Sequence, residues 1–309
     1  MSRALVTGGA GFIGAHLSAR LVERGLEVVV VDDLSWGDAK KLDGLKNVSF
    51  VQGDIRDLAK LSPKLGSFSH VFHMAALISA YQSLEAPDDY FATNVGGLLR
   101  VLELCSKSQA PRVVFASTSG VYGNSEQPLK SEEDLPRPTT VYAATKLAGE
   151  HLLSMYRSRL GFDDVALRFF NVYGPGQSPK HPYANVTCRF SHAAAHGSAV
   201  QLYGDGSVTR DFIYIDDVVD AVLAVAFRPT QHRVYNVGTG RTASIADLLA
   251  TVQRLAHRPI TVERHPAWPN DIQSICANVD RLQQELGVSA RVGFEDGLRQ
   301  TIEYFARSA

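Results

Sequence analysis

Tyr142 and Lys146 stand four residues apart in the segment VYAATK, a spacing that sends both side chains off one face of a helix. An ammonium held beside a phenol favours the phenolate, and a tyrosine with its pKa lowered in this way is a usable base near neutral pH. Upstream, FASTSGVYGN sets three hydroxyls in a row at Ser117, Thr118 and Ser119, with Gly120 directly after them. Such a stretch serves either as a plain turn or as the place where a substrate's own hydroxyl is received. It follows the strand-like run RVVFAS, and open α/β sheets bind their ligands at the C-terminal ends of the strands.

The elements that must position these groups alternate along the first half of the chain. ALVTG, EVVVVDD, VSFVQGD, SHVFHMAA and RVVFAS read as strands, and HLSARLVERG and VGGLLRVLELCSK read as helices between them. That order predicts an α/β fold, a doubly wound Rossmann-type parallel sheet covered on both faces. Tyr142 to Leu160 reads as one long helix and DVALRFFNVYG as the next strand. From Pro175 the texture changes, with Pro179, Pro182 and Gly197 breaking up short elements. The expected division is a dinucleotide-binding domain over 1–174 with a return segment at 211–240, and a smaller, mostly C-terminal substrate-binding lobe over 175–210 and 241–309. In that lobe Ser244 and Asp247 offer a capping box.

VTGGAGFIG places Gly8, Gly11 and Gly14 between the first strand and the first helix, so that backbone can approach a pyrophosphate at the helix N-terminus. Asp32 closes the second strand 18 residues after Gly14, at the spacing of a carboxylate that binds an adenine-ribose diol. A carboxylate there repels the extra phosphate of NADP, and NAD is the expected cofactor. Asp54 in GDIRD is expected near the adenine, and Ala75 and Ala76 in HMAA admit close approach of backbone to the cofactor.

Composition narrows the partners. With 31 basic and 32 acidic residues the chain has no bulk field to capture nucleic acid or an anionic membrane. Cys105, Cys188 and Cys276 form neither a CxxC pair nor an even disulfide framework, which suits a reducing compartment. No metal site is expected. A strand begins at residue 3 and no apolar run reaches membrane-span length, so a soluble cytoplasmic protein is expected.

Taken together, VTGGAGFIGAHL, VVVDDLS, GDIRD, VFHMAA, ASTSGVYG, YAATKLAGE, RFFNVYGPGQ, YGDGSVTRDFIYIDDV and YNVGTG resemble the motifs of the extended short-chain dehydrogenase/reductase family, in its NAD-dependent nucleotide-sugar epimerase/dehydratase branch. They run in order from residue 3 to about residue 240. The resemblance implies that Thr118 binds the sugar hydroxyl at the reacting carbon, Tyr142 takes its proton, and Lys146 holds the nicotinamide ribose. It implies cofactor contacts at Gly8, Gly11, Phe12, Ile13, Gly14, Asp32, Asp54, Ile55, Ala75, Ala76 and Asn94 as well as Tyr142 and Lys146. It implies a nucleotide-sugar substrate, a UDP-sugar above others, held by Asn171, Asn185, Val186, Tyr203, Arg210 and Asp271. It further implies a homodimer, paired through the helices around Tyr90 to Ser106 and Tyr142 to Leu160.

Two departures bear on function. The dehydratases of this branch resemble an Asp-Glu pair directly after the threonine, whereas this chain has Ser119 and Gly120. A loop without a carboxylate can orient a hydroxyl but cannot expel water from a second carbon, so epimerisation at C4 through a transient 4-keto sugar is expected. Near the C-terminus WPND places Trp268 where the family has an arginine for the diphosphate, while Asp271 is kept. Two alternatives remain at this point: a dehydratase or dehydrogenase of the same family, and a non-catalytic dinucleotide sensor, which would need none of Thr118, Tyr142 and Lys146.

Overall fold

The computed structural model describes residues 2–106, 112–124, 127–161, 163–179, 184–256, 259–267 and 272–307. In chain order the elements begin with β1 (Arg3–Thr7), α1 (Phe12–Glu23), β2 (Glu27–Asp32), β3 (Val48–Gln52), α2 (Leu58–Leu65) and β4 (His70–His73). Short helices α3 (Gln82–Glu85) and α4 (Pro87–Tyr90) lead through a π-helical stretch, Phe91–Gly96, into α5 (Gly97–Ser106). Then come β5 (Arg112–Thr118), β6 (Leu129–Lys130), α6 (Val141–Leu160), β7 (Asp164–Phe169), β8 (Asn171–Tyr173), α7 (Val186–His196) and β9 (Val200–Tyr203). The last third holds β10 (Thr209–Arg210), β11 (Phe212–Tyr214), α8 (Ile215–Phe227), β12 (Val234–Val237), β13 (Ala243–Ser244), α9 (Ile245–Ala256), β14 (Val262–His265), β15 (Ser274–Ala277), α10 (Asp280–Leu286) and α11 (Phe294–Arg307).

Two compact units emerge. The first comprises Met1–Asn124, Leu135–Arg168 and Val219–Tyr235. The central sheet runs in the order β12-β7-β5-β4-β1-β2-β3, with β3-β2-β1-β4-β5 paired in parallel. Strands covered on both faces read as unbroken apolar runs, and Val28 to Val31 are accordingly buried without alternation. Leu5, Val29, Val31, Leu98, Val101, Leu102 and Phe115 share one core cluster. Thr7, His73 and Thr118 close β1, β4 and β5 and therefore lie side by side at the C-terminal ends of these neighbouring parallel strands.

The second unit comprises Ser125–Asp134, Phe169–Val218 and Asn236–Ala309, which differs from the division read in the sequence. Residues 125–134 belong to it because β6 pairs with β15 in a sheet ordered β13-β10-β15-β6. Residues 171–173 and 212–214 belong to it because β8 and β11 pair with each other. The capping box holds: Ser244 Oγ donates to Asp247 Oδ2 at 2.7 Å, and the Asp247 amide donates to Ser244 Oγ at 2.9 Å.

Candidate active site

The turn from β1 into α1 is a cradle that only glycine fits. A Cβ on Gly14 would stand 2.1 Å from the Gly8 carbonyl oxygen, and one on Gly8, whose φ is +70°, would stand 2.7 Å from the Ala75 amide. The glycine loop is thus pressed against the end of β4. Gly11 offers no side chain to cap α1, and the first turn, with Phe12 and Ile13, carries no acid; its amides and helix dipole suit an anion. Asp32 receives the Ala10 amide on Oδ2 at 3.0 Å and the Leu34 amide on Oδ1 at 2.9 Å. Burial raises its pKa while those two hydrogen bonds lower it. A pyrophosphate-sized cradle beside a fixed carboxylate fits NAD.

Other expected cofactor residues have local duties as well. Asp54 caps the turn at Ile55–Asp57, accepting from the Arg56 amide at 2.7 Å. The Ile55 side chain is buried against Gly97, so any cofactor contact there falls to its backbone. Asn94, also expected among the cofactor contacts, is tied into the fold: Nδ2 donates to the Leu77 carbonyl and to Thr145 Oγ1, both at 3.0 Å, and Oδ1 accepts from the Leu77 amide at 2.8 Å. It ties the stretch that follows Ala75 and Ala76 to α6.

Helix α6 starts at Thr140, whose Oγ1 accepts from the Ala143 amide at 3.2 Å, so Tyr142 falls in its first turn and Lys146 one turn on. Gly149 lets the helix settle on β5, since a Cβ there would meet the Phe115 ring at 2.5 Å. Lys146 Nζ consequently lies 4.9 Å from the centroid of Phe115, and the Thr118 hydroxyl is near enough to the Tyr142 phenol to lower its pKa. The three expected catalytic residues are brought together.

Their titration departs from expectation. Burial pushes the Tyr142 phenol up to about 12, and the Thr118 hydrogen bond only partly opposes it, with the Tyr90 phenol adding to the rise. Burial also pulls Lys146 down to about 7. In the cofactor-free fold the phenol therefore stays high despite Lys146 one turn away, a consequence of burial that spacing alone does not reveal.

Gly120 donates its amide to Thr118 Oγ1 at 3.1 Å. A Cβ at 120 would make ordinary 3.4 Å contacts to Thr118 Oγ1 and Ala143 Cβ, so the backbone does not demand glycine. An acid there would begin beside the reacting hydroxyl. Sequence reasoning missed His73, fully buried, with Nδ1 2.7 Å from Thr7 Oγ1 and its ring parallel to Phe115. Burial first, and Lys146 second, hold its pKa down to about 3, so it is neutral. The signal was its place at the end of a buried strand, one residue before Met74 and the two alanines.

Within the second unit, Arg210 Nη1 donates to the Thr209 and Ile272 carbonyls at 2.9 and 2.6 Å. The neighbouring Asp211 carboxylate accepts from Thr239, Gly240 and Ala277 amides. Asn171 Nδ2 donates to the Asp211 carbonyl at 3.3 Å. Asn185, expected to meet substrate, also caps α7, receiving the Cys188 amide at 2.9 Å and donating to the Val172 carbonyl at 2.7 Å. Val186 opens that helix. The Tyr203 ring stacks on His265 at 5.0 Å. Trp268 and Asp271 lie outside the described residues.

The sequence profile of the NAD dependent epimerase/dehydratase family matches residues 4–238. The chain is 37% identical over 309 residues to UDP-glucose 4-epimerase of Mycolicibacterium smegmatis, covering 98% of each protein. It superposes on Thermus thermophilus UDP-glucose 4-epimerase, solved in complex with NAD, with TM-score 0.92 at 37% identity, covering 99% of this chain and 100% of the other. It also superposes on UDP-N-acetylglucosamine 4-epimerase from Methanobrevibacter ruminantium, solved with UDP-N-acetylmuramic acid, with TM-score 0.94 at 32% identity, covering 100% and 99%.

Proposed function

The chain belongs to the NAD dependent epimerase/dehydratase family, and from that premise we propose that it inverts C4 of a UDP-sugar through a transient 4-keto intermediate. The observation that carries this reading is the loop 118–120: a threonine whose hydroxyl acts on the base, followed by two residues that bring no carboxylate.

NAD, when bound, supplies a positively charged hydride acceptor to the site. Gly8, Gly11 and Gly14 hold its pyrophosphate at the start of α1, and Asp32 takes the adenine-ribose diol. Thr118 orients the C4 hydroxyl, and Tyr142 as phenolate removes its proton while C4 gives up its hydride. A neighbouring positive charge offsets the burial that holds the free phenol high, so the base is formed in the loaded site. Lys146 binds the nicotinamide ribose. Once the keto sugar has presented its other face, C4 takes the hydride back on that face and Tyr142 returns the proton to the C4 oxygen.

On the substrate side, Asn171, Val186, Tyr203, Arg210 and Asp271 are assigned to the UDP-sugar, with Asn185 positioning Val186. The protein acts as a cytoplasmic homodimer in this reading, supported by exposed Ile78, Tyr81, Leu84, Phe91 and Met155 on or beside the two helices expected to pair. No helix among the described residues is long and apolar enough to cross a membrane.

The test is to incubate the NAD-loaded protein with UDP-glucose, UDP-N-acetylglucosamine and UDP-glucuronic acid and follow each by proton NMR and mass. At least one is expected to yield its C4 epimer at unchanged mass. Loss of water or carbon dioxide would overturn the reading of Gly120.

A further inference from the structure

Glu150 sits one turn beyond Lys146 and two beyond Tyr142 on α6, and its carboxylate is almost fully buried. Arg168, on the neighbouring β7 and equally buried, grips it with both arms: Nε donates to Oε1 at 3.0 Å and Nη2 to Oε2 at 2.7 Å. Such forked pairs are rigid as well as strong. The pair reaches the hydroxyl loop on both flanks of Thr118. Before it, Ser117 Oγ donates to Glu150 Oε1 at 2.5 Å; after it, the Arg168 guanidinium lies 4.8 Å from the ring centroid of buried Tyr122.

Residues 117 and 122 bracket the stretch that holds Thr118 and Gly120, and both rest on one ion pair rooted in the helix of Tyr142 and Lys146. Burying two charges is costly, and a well-packed apolar pair of the same volume is often at least as stable. Stability alone therefore gives no reason for this arrangement, whereas fixed geometry does, since small misplacement of a catalytic group is expensive in rate.

We propose that Glu150 and Arg168 are positioning residues for catalysis, a clip that sets the place of the Thr118 hydroxyl relative to the Tyr142 phenol by fastening both flanks of the hydroxyl loop to α6. This rests on the proposed role of Tyr142 as base. When the clip loosens, Thr118 drifts from the phenol, and Tyr142 loses the neighbouring hydroxyl that opposes the rise in its titration. Tyr142 is also faced by Tyr90 from α4 and by Lys146 one turn away, with His73 from β4 beside Lys146; none of these is altered by the variants below.

The experiment compares wild type with Ser117→Ala, Arg168→Lys and Glu150→Gln. It measures kcat and KM against pH, NAD content after purification, and the titration of Tyr142 by NMR of ring-labelled tyrosine, assigned with Tyr142→Phe. We expect kcat to fall about tenfold for Ser117→Ala and about 10²-fold for the other two, with KM and NAD content within about twofold of wild type. The Tyr142 titration moves upward in all three. Melting temperatures that drop while kcat per folded molecule and the Tyr142 titration stay at wild-type values would overturn the proposal. If Glu150→Gln does not fold, Ser117→Ala, which leaves the ion pair whole, decides. A wild type that turns over no UDP-sugar would defeat the functional reading, yet the Tyr142 titration would still decide whether the clip sets the place of Thr118 against the phenol.

Discussion

Lys146 keeps its proton up to its ordinary value of 10.5 in the unfolded chain but only to about 7 in the fold. Between those values the unfolded chain binds more protons, so stability rises with pH across that window and the penalty is complete below it. Lys146→Met is therefore expected to stabilise the cofactor-free protein at pH 6.5 by on the order of 2 kcal/mol. The gain should shrink toward pH 10.5, as urea unfolding at the two pH values will show, while activity is lost. Tyr142→Phe, which keeps the ring and removes the proton acceptor, should cost about 10²- to 10⁴-fold in kcat with NAD still bound. The residues assigned to this chemistry were legible because their types and spacing are local. What was illegible is their environment: the direction of the Tyr142 shift depends on burial, and burial comes from β5, α4 and α6 meeting.

Among the elements, α6 and the β1–α1 turn carry the placement. Gly14→Ala pushes a methyl against the Gly8 carbonyl, and the protein should purify without NAD, read from the absorbance of the acid-released nucleotide. Retention of full NAD content would show that the turn is not the cradle. Thr140→Ala removes the cap of α6 and should cost about 1 kcal/mol in urea unfolding. The long helix and the apolar strands could be read from periodicity, and Asp32 from its distance to the glycines. Two-residue strands such as β6, β10 and β13 could not, because their pairing is set by partner strands far away in the chain, not by their own composition. The π-helical stretch that presents Asn94 has no pattern of its own; its reason is the three hydrogen bonds Asn94 makes to Leu77 and Thr145.

At the scale of the molecule, the parallel sheet was legible from alternating strands and helices, whereas the unit boundaries shifted because residues 125–134 leave the first unit to form β6. The exposed Phe91 and Met155 belong to the face assigned to the dimer. Phe91→Glu with Met155→Glu is expected to convert dimer to monomer in sedimentation velocity, and an unchanged dimer would place the interface elsewhere. The central claim, that one carbon loses and regains the same hydride, is tested most directly with UDP-sugar carrying deuterium at C4. The account predicts an epimer of unchanged mass that retains deuterium at C4. A product lighter by water or carbon dioxide, or deuterium accumulating in free NADH, would contradict it.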